Sequence, residues 1–96
     1  MTSPTPIHPT MKVSVHDTYV RRSDGKLMHF DILVPEAQKD ASVIHGYGLE
    51  YLNSKGHEGV VLGTRECRFC HVEQATPPVV KSIEERGYFI LEMENC

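Results

Sequence analysis

Two runs of β-branched and aromatic residues, KVSVHDTYV and KLMHFDILV, flank the polar segment RRSDG near the start of the chain. This pattern predicts a β-hairpin whose loop closes near Gly25. On the second strand Met28, Phe30, Ile32 and Val34 share one side, and on the first Val13, Val15 and Tyr19 share one side with Asp17, because strand side chains alternate. Burying both apolar sets together pairs Val20 with Leu27, and places Thr18 opposite His29 and His16 opposite Asp31. His16, Thr18, His29 and Asp31 are therefore expected to cluster on the outer face, with Asp17 on the core side, where a carboxylate needs hydrogen-bond donors.

Beyond the hairpin, Asp40 is a suitable N-cap for a helix from about Ala41 to Lys55, in which Ala41, Ile44, Gly48, Tyr51 and Leu52 recur at helical spacing and Gly56 follows the end. Gly46 and Gly48 each weaken it by roughly 1 kcal/mol relative to Ala, so packing must hold it, with Gly48 allowing close approach to the sheet. GVVLGTRE is expected as a third strand leading into a turn at Cys67–His71. Thr76 then caps and Pro77 opens a second helix with Val79, Val80 and Ile83 on its apolar side, ending at Gly87. The nearly continuous apolar run of YFILEM suits an interior strand. The order ββαβαβ predicts a two-layer α+β domain, a four-stranded mixed sheet with two helices on one face.

The 96 residues fit one domain, expected over residues 11–96, preceded by a flexible extension over residues 1–10, where three prolines disfavour regular structure. An apolar fraction of 40% with 24% charged residues is that of a globular chain rather than a disordered one. A net charge of −3, and a basic run RRSDGK interrupted by Asp24, argue against nucleic acid as a partner. The N-terminal MTSPTPIHPT lacks an export signal and no apolar run reaches membrane-spanning length, so a cytoplasmic location is expected, with no membrane partner.

The candidate chemistry lies in ECRFCHVE. C-x-x-C-H is the spacing of covalent haem attachment, but that chemistry is normally performed outside the cytoplasm and a domain of this size offers haem little room. For zinc, Cys67 and Cys70 supply half of a tetrahedral shell, which His71 and Cys96 would complete. For thiol redox work, Arg68 and His71 would lower a thiol pKa, although the next helix begins only at Pro77. In a packing role, Phe69 anchors a turn whose thiols are buried as small hydrophobes. His16, His29 and Asp31 have the ligand types of a two-histidine, one-carboxylate metal site, against which stands the plainer reading of a polar outer sheet face with a cross-strand His/Asp pair. No nucleophile elbow, phosphate-binding glycine loop or H-E-x-x-H helix is present, which leaves enzymatic activity undecided.

Taken together, HDTYV, MHFDI, ECRFCHVE and GYFILEMENC resemble a family of small bacterial proteins catalogued as a domain of unknown function, number twenty twenty-four. The resemblance spans about Met11 to Cys96 and implies a small α+β fold, with no activity, substrate or cofactor attached to it. The leading expectation is a cytoplasmic binding or interaction domain whose site is the turn carrying Cys67, Arg68, Cys70, His71 and Glu73, joined by Cys96, with an unidentified protein or small molecule as partner. The alternatives are a thiol redox protein using Cys67 and Cys70, and a zinc protein using Cys67, Cys70, His71 and Cys96. Ligand and oligomeric state are not legible in the sequence.

Overall fold

The hairpin forms one residue out of the expected register. In the computed structural model, which describes residues 11–96, strands β1 (Lys12–Arg21) and β2 (Leu27–Pro35) pair antiparallel with Val20 opposite Met28 and Arg21 opposite Leu27. The expected extension over residues 1–10 lies outside the described residues. Gly25, at φ 87°, closes the loop as predicted. Because strand side chains alternate, a one-residue slip exchanges the faces of a whole strand. His16 therefore lies opposite Ile32 and Asp17 opposite Asp31, and the expected cluster of His16 and Thr18 with His29 and Asp31 does not form.

The remaining elements are α1 (Ala41–Ser54), β3 (Cys67–Gln74), α2 (Pro77–Arg86) and β4 (Phe89–Glu94), giving the predicted ββαβαβ order of an α+β fold. The sheet runs β3-β1-β2-β4, and all its ladders are antiparallel rather than mixed. The helices lie one on each face, not both on one. Ile44 and Leu52 of α1 pack with Met28, Phe30, Ile32 and Val34, whereas Val79 and Ile83 of α2 pack with Val13, Val15 and Leu33, which alternate to the other side. Two covered faces explain why Phe30–Val34 is buried without interruption.

The same geometry corrects the placement of the last strand. β4 is an edge strand, and its apolar start reports a cover on both sides: Phe89 packs with the α2 cluster and Ile90 with the α1 cluster. GVVLGTRE is a loop rather than a strand, with Leu62 buried in the α1 core and Gly63 N–H donating to Glu66 Oε1 at 2.9 Å.

Capping of α1 follows the sequence. Asp40 Oδ1 accepts from the Ser42 backbone N–H at 2.9 Å. Gly48 permits the close approach expected of it, since a Cβ there would stand 2.6 Å from Leu62 Cδ1 and 2.9 Å from Ile32 Cδ1. Helix α2 ends at Gly87 in the left-handed conformation, φ 92°, but the Thr76 side chain makes no capping bond. Among the described residues no helix is long and apolar enough to cross a membrane.

Candidate functional site

The stretch CRFCHVEQ is the third strand itself. Its cysteines are three apart, an odd spacing that sends them to opposite faces. Cys67, opposite Thr18, is buried in the α1 core, while Cys70 is exposed on the other side. The pair is not brought together, and neither a shared ion nor a Cys67–Cys70 disulfide fits this backbone. Cys96 belongs to the α1 side too, its Sγ donating to the carbonyl of His29 at 3.2 Å. Cys67 is thus the shielded thiol of the motif and Cys70 the accessible one. Phe69, expected as a buried anchor, is 60% exposed and meets His16 edge-on with ring centroids 5.8 Å apart.

A bulge explains both the strand and its misreading. Val15 pairs with His71 and His16 with Phe69, leaving Cys70 as the extra residue. The interruption breaks the two-residue alternation by which a strand is recognised, so the segment reads as a turn. It also gathers part of the candidate site: His71 lies with Nδ1 3.1 Å from Cys70 Sγ and Nε2 2.7 Å from Glu73 Oε1. The Cys70 thiol is pushed up rather than down, by local desolvation and by the negative charge of Asp17 beside it. Arg68 sits opposite Asp17 across the ladder but does not offset that effect.

The structure assembles a different group on this face: Asp17 of β1 with His29 and Asp31 of β2. One ligand atom from each lies within 4.8 Å of the others, the only such group among the described residues. His29 Nε2 is 3.4 Å from Asp31 Oδ1 and 3.7 Å from Asp17 Oδ1. The side chains become less buried in the order Asp31, His29, Asp17, at 10%, 21% and 35% exposed. Tyr19 stacks on the His29 ring, centroids 4.2 Å apart, and fixes its plane. Burial first, then the hydrogen bond and charge of Asp17, raise the Asp31 carboxyl to about 6, while the hydrogen bond from Asp31 is the main cause holding Asp17 below the ordinary carboxylate range. Below about pH 6 the carboxyl pair therefore holds one proton, on Asp31, and above it both groups are ionised.

His29 Nε2 and Asp31 Oδ1 are both buried, and neither makes a well-formed hydrogen bond; their contact is that of an ion pair when the imidazole is protonated. A charge-assisted hydrogen bond closes to about 2.7–2.9 Å, so these atoms stand too far apart to satisfy one another. Tetrahedral ligands at about 2.0–2.1 Å from an ion are separated by roughly 3.3 Å, close to the spacing observed. Sequence reading had His29 and Asp31, two residues apart on one strand, but the slipped register supplied His16 in place of Asp17. Phe30–Val34, with no polar position after Asp31, was the signal that both faces are covered and that the register must move.

Fold and site together define a small α+β domain with a carboxylate–imidazole cluster on the open part of one sheet face. The chain belongs to the family described as Domain of unknown function (DUF2024), whose profile matches residues 11–93. It is similar to the NMR structure of protein NE1680 from Nitrosomonas europaea, at 42% identity and a TM-score of 0.76, over 90% of this chain and 99% of that one. No curated protein matches the sequence.

Proposed function

We propose that this is a cytoplasmic metal-binding domain that holds a divalent transition ion through Asp17, His29 and Asp31. The observation that carries the reading is the orphaned pair His29 Nε2 and Asp31 Oδ1, buried, facing one another and 3.4 Å apart. Burying polar atoms without partners costs about 1–3 kcal/mol, and an ion between them removes that cost. One imidazole and two carboxylates suit zinc and its first-row neighbours better than calcium or magnesium, which favour oxygen-only shells. Further ligand positions would face solvent at the Asp17 end, so the site would keep room for a water or a ligand atom. Three free cysteines suit a reducing compartment. The test is native mass spectrometry after zinc titration: one zinc per chain is expected for the wild type and for Cys67→Ser, and none for His29→Ala.

A second reading rests on the contacts of His71 with Cys70 and Glu73. Glu73 accepts from Nε2, leaving Nδ1 to accept the thiol proton, an arrangement of nucleophile, base and orienting group. If that thiol is in use, Glu73→Gln slows native alkylation of Cys70.

A further inference from the structure

Beside the carboxylate–imidazole cluster lies a cavity of about 220 Å³ lined by Asp17, Tyr19, Arg65, Glu66 and Arg68. Two of these residues belong to the cluster's own architecture: Asp17 is one of its three groups and Tyr19 is stacked on the His29 ring. The loop before β3 is tied to this end of the sheet by Tyr19 N–H donating to the Glu66 carbonyl at 2.9 Å, and Glu66 itself is engaged with Gly63. Arg65 and Arg68 are exposed and form no ion pair or hydrogen bond among the described residues.

We infer that this cavity binds a small oxyanion, a carboxylate or a phosphate group, with Arg65 and Arg68 on its oxygens and the anion adjacent to the metal ion held by Asp17, His29 and Asp31. The inference rests on the metal-binding reading above and adds the ligand class. Guanidinium groups present paired N–H donors that match carboxylate and phosphate oxygens. Charge sets the order of events. Without the ion, the two arginines are balanced by Asp17 and Glu66 and the pocket has no surplus for an anion. A divalent ion brings two positive charges to the Asp17 wall and reverses the local field. Anion binding is therefore conditional on metal, and the volume limits the ligand to a small molecule or a single anionic group.

The experiment follows the side-chain Nε–H resonances of Arg65 and Arg68 in zinc-loaded and metal-free protein during separate titrations with inorganic phosphate and with malonate. Saturable shifts in the zinc-loaded protein, with affinity at least about tenfold weaker without zinc, support the inference, and the tighter of the two anions assigns the phosphate or carboxylate class. The double variant Arg65→Ala, Arg68→Ala is expected to keep one zinc per chain and lose the anion. If zinc binds but neither anion moves these resonances, or if the double variant binds them as well as the wild type, the inference fails and the metal site stands. If the metal-free protein binds them equally well, the conditional order is wrong. If zinc does not bind, the metal reading fails and this inference with it.

Discussion

His29 and Asp31 face each other across 3.4 Å with Nε2 and Oδ1 both buried and neither hydrogen-bonded. On the proposed metal-binding reading this pair, two residues apart on one strand, is the core of the ion site. Its energetic signature is testable. The folded-state pKa of Asp31 is raised from 3.8 to about 6, so the native state binds the proton more tightly than the unfolded chain. The resulting stabilisation is fully present below the unfolded value and is lost as pH rises through the folded one.

Above its folded pKa Asp31 is ionised at a site that disfavours the charge, and Asp31→Asn removes that penalty. Metal-free Asp31→Asn is expected to be more stable than the wild type near neutral pH by on the order of 1–2 kcal/mol, with the difference shrinking as pH falls through about 6. Denaturant midpoints across this range check it. A variant that gains stability and loses zinc separates a binding role from a packing role.

The two thiols of C-x-x-C should behave independently. Cys70 is expected to alkylate in the native protein, slowly near neutral pH because its thiol is raised by local desolvation and Asp17, and faster as pH increases. Cys67, buried in the α1 core, should react only on unfolding. Mild oxidation should give no Cys67–Cys70 disulfide. Peptide mapping after timed alkylation reads all of these.

Two aromatic residues contrast in the same way. Phe30→Ala, at a fully buried position, is expected to cost about 3–5 kcal/mol. Phe69→Ala, at an exposed one, should stay within about 0.5 kcal/mol. Paired unfolding curves decide whether β3 hangs on its aromatic.

The glycines of α1 give a further contrast. Gly48→Ala must displace Leu62 and Ile32, and overpacking of this kind costs about 1–3 kcal/mol, partly offset by helix propensity. At Gly46 an added Cβ meets nothing within 4 Å, so Gly46→Ala should stabilise by about 0.5–1 kcal/mol. Thermal midpoints of opposite sign are expected.

What the sequence disclosed follows from which physical signals are local. Asp40 as a cap, Gly25 closing the hairpin, Gly48 at a close contact and Gly87 ending α2 are read within a few residues, and the structure has them all. The register of β1 on β2 is not local. Val13 and Val15 face α2 whereas Val20 faces α1, so a search for one common apolar face chooses the wrong alignment. That single slip exchanged His16 for Asp17 and dissolved the cluster that defines the site. The bulge at Cys70 has a similar effect, for it hides a strand behind a broken alternation and makes two cysteines on opposite faces look like a pair.

The most direct measurement is the imidazole nitrogen spectrum of the protein during zinc titration. His29 Nε2 is expected to move to a metal-bound shift at one equivalent, in slow exchange, while His71 and His16 keep their positions and Cys67→Ser changes nothing. A spectrum in which His29 is unaffected by zinc, or in which His71 responds with a cysteine in its place, contradicts the account.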